Sequence, residues 1–253
     1  MAGHIWYLKA CRLFETCTTD QIQRLETASR SKTIAKGSPV YLPADQADSV
    51  LVLASGRVKI CHLTGDGKQS ILAFIEPGEI FGELAILDVG SRDEYAEAVE
   101  ESRVIAIPGD AMRRLMEEHA DLCLGVTKVI GFRRRRIERR VKNLLYLSNR
   151  ERLSHLLLEL AEQYGRETQK GIELSIRLSH QDLASIVGST RETVTVVLGA
   201  MQTEGLIELG RRKVILKAPD RLAHQIGIEP IRLDSNVQRN TPPTVYLRHS
   251  FGA

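Results

Sequence analysis

Residues 178–208 constrain the fold of this chain more than any other stretch, because they predict two short helices joined by a tight turn. Ser179 can cap the first helix, since its hydroxyl can accept a hydrogen bond from a free amide of the first turn. Gly188 can take the left-handed backbone conformation that the turn requires. The apolar residues of both segments recur at helical spacing, and they are Leu183, Ala184, Ile186, Val187, Val194, Val197, Leu198 and Met201. The pattern predicts a helix-turn-helix.

The polar end of the second helix indicates what this motif does. Thr190, Arg191 and Glu192 begin the helix, on the side opposite its apolar residues. In a DNA-binding helix-turn-helix, this end of the second helix meets base edges in the major groove. The alternative is an ordinary helical hairpin in which Arg191 and Glu192 are solvated charges.

A basic hairpin is predicted after the second helix. Gly205 can end that helix, and residues 209–213 (LGRRK) form the tip between two short strands, the second at 214–217. Arg211 and Arg212 lie at the tip, where they can contact phosphates. The whole arrangement predicts a winged helix-turn-helix that binds DNA.

The first half of the chain has a different pattern. Residues 4–30 predict one or two short helices, with Thr18 or Thr19 as a cap. Between residues 31 and 108, short alternating apolar runs are separated by turn-forming residues, which is typical of a β-sandwich or barrel. The predicted strands are 39–42, 49–54, 57–63, 70–75 and 103–108. Asp66-Gly67 predicts a hairpin turn, since both residues tolerate positive φ.

Residues 110–147 predict one long helix, capped by Asp110. Ile130, Ile137 and Leu144 recur every seven residues, which forms an apolar stripe that can pair with the same stripe of a second chain. The same segment carries a run of basic side chains, namely Arg133, Arg134, Arg135, Arg136, Arg139, Arg140 and Lys142. They are either a solvated helix face or a contact for an anionic effector or the DNA backbone.

These segments predict an α+β protein of four parts. An N-terminal antiparallel, jelly-roll-like β-roll forms a sensor domain (residues 1–109), followed by a long dimerisation helix (110–147), a winged helix-turn-helix domain (148–218) and a flexible tail (219–253).

The charge distribution agrees with this organisation. The chain carries a net charge of +3, but residues 1–109 are acidic and residues 110–145 are basic. This asymmetry argues against a general nucleic-acid coat protein and favours a sensor joined to a local DNA-binding surface. With no signal peptide and no apolar run long enough to span a membrane, a cytoplasmic location is expected.

Residues 78–92 (GEIFGELAILDVGSR) differ from the strands around them and predict an effector site. Gly82 allows the backbone to approach a ligand closely, and Glu83, Leu84 and Ala85 begin a short helix whose free amides can bind an anion. Glu83 can pair with hydroxyls such as those of a ribose, and the planar fork of Arg92 matches a phosphate. The alternative is that Glu83 and Arg92 form an ion pair that closes a turn of the β-roll.

The order of these motifs resembles the CRP/FNR family of transcription regulators, which have a cyclic-nucleotide-binding fold. The resemblance rests on FGELA with an arginine nine residues after its glutamate, on the long helix, and on GSTRETV with a wing, and it covers about residues 5–218. It implies a homodimer through the long helix and an effector pocket. It also implies double-stranded DNA with a palindromic operator as a partner, and RNA polymerase as another.

The resemblance assigns roles on the second helix. Arg191 is expected against guanine and Glu192 against the amino group of cytosine. Val196 stands where many members have an arginine, and it can touch a thymine methyl instead. Thr190 and Thr193 are expected phosphate contacts. The remaining residues of the expected DNA surface are His180, Gln181, Thr195, Arg211 and Arg212.

Two departures from the family concern the effector. Asp93 follows Arg92 where cyclic-nucleotide binders have Ser or Thr, and a carboxylate there repels phosphate. Ile137 and Glu138 stand where cyclic-AMP members have the Thr-Ser pair that meets adenine. A cyclic-AMP response is therefore not expected, and the effector is a nucleotide derivative, another small anion, or absent.

The cysteines and histidines predict no metal site. Cys11, Cys17, Cys61 and Cys123 form no CxxC pair and are expected to be idle thiols, with an iron–sulfur or redox role for Cys11 and Cys17 as the alternative. The haem-sensing branch of the family has Cys where Gly82 stands, so its ligand set is missing.

Two other classes of function fit the sequence less well. A metal-dependent cupin-type enzyme would need closely spaced histidines, whereas His62 stands alone in its strand; the chain is therefore not expected to be an enzyme. A regulatory module that has lost DNA recognition is disfavoured by Arg191 and Glu192.

Overall fold

The computed structural model describes residues 5–65, 69–87, 90–211 and 213–230. The chain divides into two compact units, Met1–Arg134 and Arg135–Ala253. The helices are α1 Ile5–Ala10, α2 Thr19–Ala28, α3 Gly109–Glu118, α4 Ala120–Tyr146, α5 Asn149–Tyr164, α6 His180–Val187, α7 Arg191–Thr203 and α8 Pro219–Gln225, with short 3-10 helices at Arg12–Phe14 and Glu83–Leu87. The strands are β1 Arg30–Ile34, β2 Pro39–Tyr41, β3 Ser49–Ser55, β4 Val58–Leu63, β5 Gln69–Ile75, β6 Ile80–Phe81, β7 Tyr95–Ala98, β8 Ser102–Pro108, β9 Gly165–Thr168, β10 Gly171–Leu174, β11 Ile207–Gly210 and β12 Lys213–Leu216.

Two four-stranded antiparallel sheets form the body of the first unit. Their strand orders are β1-β8-β3-β6 and β2-β7-β4-β5. One apolar cluster takes side chains from all eight strands, which shows that the sheets pack face to face; its members are Ile34, Tyr41, Leu51, Leu53, Val58, Ile60, Ile75, Phe81, Ala96, Ala98 and Val104. Full burial of an aliphatic side chain of this size stabilises the fold by about 1.5–3 kcal/mol. The predicted β-roll is confirmed.

Three strands of the roll were not predicted. β1 (RSKTI) buries only Ile34, and β6 is two residues long. β7 (YAEA) presents alanines to the core and carries Glu97 in its interior. The predicted Asp66-Gly67 turn lies outside the described residues, but the strands on either side of it pair in antiparallel register, with Leu63 opposite Gln69.

The N-terminal helices agree with the prediction. Thr18 caps α2 in a capping box, in which its hydroxyl accepts from the Gln21 amide at 3.4 Å and its own amide donates to the Gln21 side chain at 2.8 Å.

The single long helix predicted at 110–147 is wrong, because α3 and α4 are separated at His119, whose backbone is extended. Glu118, at the end of α3, accepts hydrogen bonds from Arg24 of α2 at 2.8 and 3.1 Å. The break also places Asp121 in the first turn of α4, where the helix dipole favours a carboxylate. Asp110 does not cap α3; it lies in the first turn and pairs with Arg114 at 2.9 Å.

The second unit is built around α5. Ser148 caps this helix in a capping box with Glu151, and α5 packs against α6, α7, α8 and β10. An antiparallel sheet of order β11-β12-β10-β9 joins the C-terminal hairpin to a second hairpin, β9–β10, which was not predicted.

The predicted tail begins too early at residue 219. Pro219–Gln225 form α8, which opens with proline at a position that needs no amide donor, and α8 buries Leu222 and Ala223. Residues 231–253 of that predicted tail lie outside the described residues. Among the helices in the described ranges, none has the length and apolar character needed to cross a membrane.

Candidate nucleic-acid interface and sensor site

The predicted helix-turn-helix is present as α6 and α7. Ser179 caps α6 and accepts from the Asp182 amide at 3.1 Å. Gly188 ends α6 in the left-handed conformation, with φ of +66°. Thr190 caps α7, since its hydroxyl accepts from the Thr193 amide at 3.2 Å. Fully buried Ala184 lies on the packed side of α6.

The two sides of α7 have opposite environments. Val194, Leu198 and Met201 are buried. Arg191 and Glu192 are exposed in the first turn, and the Val196 side chain is 72 % exposed. The protein therefore fixes one side of the helix and leaves a charged and apolar surface free on the other.

Threonine hydroxyls organise the polar side of α7. The Thr195 hydroxyl donates to the Arg191 carbonyl at 2.8 Å, and it lies 2.8 Å from Nδ1 of His180 on α6. The Thr195 hydroxyl and the His180 ring therefore share a hydrogen bond. Thr195 therefore fixes the His180 ring beside the start of α7. Gln181 is exposed in the first turn of α6.

The predicted wing is the β11–β12 hairpin. Gly210 at the end of β11 pairs with Lys213 at the start of β12. Arg211 is exposed, whereas Arg212 lies outside the described residues. Lys213 forms an ion pair with Glu173 of β10 at 2.8 Å, which ties the wing to the β9–β10 hairpin.

The predicted effector site contains a partly buried ion pair that was not expected. Glu83 is buried and pairs with Arg133 of α4, and Arg133 also donates to the Ile80 carbonyl at 2.6 Å. Arg133 belongs to the basic run seen in the sequence, but nothing in that run distinguishes it from the arginines beside it. The alternative, in which Glu83 pairs with Arg92 to close a turn, is not what the structure shows.

Arg92 is also buried and is held by backbone and ring contacts. Its guanidinium donates to the Ser49 carbonyl at 2.7 Å and to the Gly82 carbonyl at 3.4 Å, and it lies 4.3 Å from the centre of the Tyr41 ring. Gly82 has a φ of +64°, and a Cβ there would overlap Arg92 Nη1. The close approach predicted at Gly82 is therefore an approach to Arg92.

The other predicted effector residues differ in burial. Ala85 is buried, whereas Leu84 and Asp93 are exposed. Ile137 and Glu138 are exposed on α4.

Glu94 adds a second carboxyl group to the site of Glu83, Arg92 and Arg133. Burial, and then repulsion by Glu83, raise the pKa of Glu94 above its ordinary value, and the Tyr41 hydroxyl donates to Glu94 at 3.2 Å. Burial, followed by the neighbouring Glu94, raises the pKa of Tyr41. Two carboxyl groups thus accompany Arg92 and Arg133. A phosphate bound by Arg92 would add a negative charge to a site that already holds the carboxyl groups of Glu83 and Glu94.

The cysteines show no arrangement for metal binding. Cys11 is buried, and burial raises the pKa of its thiol to about 12. Burial also raises the pKa of Cys17. Over the ranges that the structure covers, no group of three or more His, Cys, Asp or Glu side chains is placed to hold a metal ion.

Comparison with known proteins matches both units. Residues 31–119 match the family model for a cyclic nucleotide-binding domain, and residues 151–225 match a Crp-like helix-turn-helix domain. The global nitrogen regulator of Synechocystis sp. is 30 % identical over 203 residues, which are 79 % of this chain and 88 % of that protein. The chain belongs to the CRP/FNR family.

Other CRP/FNR proteins are similar to this chain over most of their length. The CRP-like cAMP-activated global transcriptional regulator of Mycobacterium tuberculosis is 26 % identical over 84 % of this chain and 95 % of its own. A CRP-family transcriptional regulator from Thermus thermophilus has a solved structure with a TM-score of 0.66 and 27 % identity, covering 79 % of this chain and 98 % of that one. The chain is thus a DNA-binding transcription regulator with a cyclic-nucleotide-binding-like sensor domain, and not an enzyme.

Proposed function

We propose that this CRP/FNR regulator acts as a homodimer whose two α7 helices read the half-sites of a palindromic operator in double-stranded DNA. The observation that carries this is the one-sided environment of α7, in which the buried side fixes the helix and the opposite side exposes Arg191, Glu192 and Val196. A two-fold symmetric dimer would present two such surfaces, and operator symmetry would mirror it.

Each exposed side chain suits one type of DNA contact. Arg191 can bond to O6 and N7 of guanine, Glu192 can accept from the cytosine amino group, and Val196 can pack on a thymine methyl. We assign the remaining contacts to the phosphate backbone, through Thr190, Thr193, His180, Gln181, Arg211 and Arg212. Thr195 is assigned to holding His180, because its hydroxyl is already hydrogen-bonded to both neighbours.

The dimer contact is proposed on the C-terminal half of α4. Ile137, Val141, Leu144 and Leu145 recur at helical spacing, and each is between 44 % and 70 % exposed in the single chain. A second copy that packs along this stripe would remove these side chains from water and form a two-stranded contact.

The sensor unit is proposed to respond to a small anion other than cyclic AMP, with Arg92 as the main contact. The residues proposed around the anion are Gly82, Glu83, Leu84, Ala85 and Asp93. Ile137 and Glu138 of α4 are proposed to contact the rest of the effector. The paired state of Glu83 and the position of Glu94 support the exclusion of cyclic AMP. RNA polymerase is the proposed further partner, and the cytoplasm the proposed location, because an operator-bound regulator acts where transcription occurs.

The test is operator selection from randomised duplexes, followed by binding measurements on the selected site. Arg191→Ala should lower affinity by about 1–3 kcal/mol and relax the preference at one base pair of each half-site, whereas Arg211→Ala should weaken binding equally on all sequences. An Arg191→Ala protein that selects the same operator as the wild type would show that the assignment is wrong.

A further inference from the structure

Two side chains from outside the helix-turn-helix cover the turn between α6 and α7. One is Arg152 of α5, and the other is Leu144 near the end of α4. The turn is the only segment that joins the two DNA-binding helices, so whatever fixes it also fixes the start of α7.

Arg152 satisfies the C-terminal end of α6. Its Nη1 donates to the Val187 carbonyl at 3.0 Å and lies 3.4 Å from the Gly188 carbonyl oxygen, and Nη2 donates to Asn149 Oδ1 at 2.6 Å. The last carbonyls of a helix have no partner within the helix, and a cation there also offsets the helix dipole. Arg152 therefore acts as a C-terminal cap supplied by a different helix.

The Nε atom of Arg152 shows that this placement has a cost. Within the described part of the chain, that nitrogen is buried and has no hydrogen-bond partner. Buried donors are nearly always satisfied. The guanidinium thus keeps its contact with the turn while leaving one of its own donors unsatisfied.

Leu144 also packs against the turn, close to Gly188. A Cβ built on Gly188 would lie 2.8 Å from Leu144 Cδ2 and 3.8 Å from Arg152 Nη1. Leu144 is also one of the half-exposed apolar residues of the α4 stripe. One side chain thus belongs to the stripe and contacts the turn.

Displacement of the turn would be passed on over a short length of chain. Helix α7 begins at Arg191, three residues after Gly188, and Arg191 and Glu192 lie in its first turn. Hydrogen bonds to base edges weaken steeply outside a narrow range of distance and angle. A small movement of Gly188 would therefore be felt first by Arg191 and Glu192, the base-reading residues nearest to the turn.

We propose that Arg152 is a positioning residue for operator recognition, and that Leu144 makes this positioning depend on how α4 is packed. The inference rests on the proposed reading of DNA by α7. It adds a route by which a change in α4 alters sequence recognition without any change in the residues that face DNA.

The first test compares Arg152→Gln with Lys170→Gln, which removes one positive charge from an exposed residue of the same unit. Affinity is measured by fluorescence anisotropy on the operator selected by the wild type and on a scrambled duplex. Arg152→Gln should weaken operator binding about tenfold, the size of losing one base contact. Its affinity for scrambled DNA, and its salt dependence, should match those of Lys170→Gln. Arg152→Lys keeps the charge but not the planar fork, and should recover only part of the loss.

The second test compares Leu144→Ala with Leu145→Ala at protein concentrations that saturate the dimer. Leu145 is the neighbouring and more exposed leucine. Leu144→Ala should lower the ratio of operator affinity to scrambled-DNA affinity, and Leu145→Ala should not.

The outcomes separate this inference from the function on which it rests. A wild-type protein without sequence preference would contradict the proposed function. A wild type with a preference that Arg152→Gln and Leu144→Ala both retain would overturn the positioning role alone, and so would a fall in Tm with an unchanged affinity ratio. If Arg152→Gln does not fold, Arg152→Lys and Leu144→Ala decide by the same ratio.

Discussion

Glu94 shows how a single residue can limit the stability of the sensor unit. It is partly buried beside another carboxylate, Glu83, and its pKa is raised above the ordinary 4.5 mainly by burial. A raised pKa in the folded state means that the protonated form favours folding. The stabilisation is therefore present below about pH 4.5 and is lost as the pH rises through the raised pKa.

Glu94→Gln should consequently be more stable than the wild type at pH 7, and the difference should shrink as the pH falls toward 4.5. The amide oxygen can still accept from Tyr41, but it carries no charge. Glu97→Gln is the control, because Glu97 pairs with Lys59 at 3.1 Å and its loss should lower stability at pH 7. Thermal unfolding across this pH range measures both, and a destabilised Glu94→Gln protein at pH 7 would contradict the prediction.

Gly188 and Gly199 are glycines whose replacement by alanine should have opposite effects on stability. Gly188→Ala should destabilise the second unit by about 1–2 kcal/mol, because the residue has a φ of +66° and a new Cβ would approach Leu144. Gly199 lies inside α7 with open space around a new Cβ, so Gly199→Ala should stabilise by up to about 1 kcal/mol. Urea unfolding gives both values, and equal effects of the same sign would refute the assignment of left-handed strain to Gly188.

Among the helices and strands, the sequence predicts best those whose ends are marked by their own residues. Ser179, Gly188 and Thr190 mark the ends of α6 and α7 by their own chemistry, and the structure places those ends at these residues. Strand β7 depends instead on partners distant in sequence, β2 and β4, so its short segment gave no local signal.

The break between α3 and α4 and the sensor ion pair have the same explanation. The first involves Glu118 with Arg24, and the second joins Glu83 to Arg133; in both cases the residues are far apart along the chain. The types of residue were visible in the sequence, whereas their pairing depends on tertiary packing. This is why the positions of Glu83 and Arg92 could be proposed but their partners could not.

The apolar stripe on α4 gives a prediction about assembly. Val141→Asp should weaken dimerisation by about 100-fold or more, because a carboxylate would lose its hydration in the proposed contact and each 1.4 kcal/mol changes the dissociation constant tenfold. Lys142→Asp, one position off the stripe, should change it much less. Sedimentation equilibrium measures both, and a Val141→Asp protein that dimerises like the wild type would place the contact elsewhere.

At the scale of the whole molecule, effector and operator binding are linked by thermodynamics. Any ligand that changes operator affinity by some factor must have its own affinity changed by the same factor when DNA is bound. An effector that binds the folded protein also raises its Tm, so effector binding can be detected without DNA and without knowledge of the target genes.

Cyclic AMP should not raise the Tm of this protein. A ligand present at about 100 times its dissociation constant adds about 2.7 kcal/mol, which a thermal-shift assay resolves easily. Other nucleotides and small anions belong in the same screen, with Arg92→Ala as the control. A cyclic-AMP shift that disappears in Arg92→Ala would mean that Glu94 and Arg133 rearrange to admit the phosphate.

The exposed valine on α7 has a consequence for epigenetic marks. Val196 offers only methyl groups, and it is 72 % exposed on the side of α7 assigned to the major groove. The C5-methyl of thymine that it is proposed to touch has the same position in 5-methylcytosine. Replacing that thymine by cytosine should lower operator affinity, and methylating the cytosine should restore part of the loss. A DNA methyltransferase could thus alter the occupancy of near-match operators without changing their sequence.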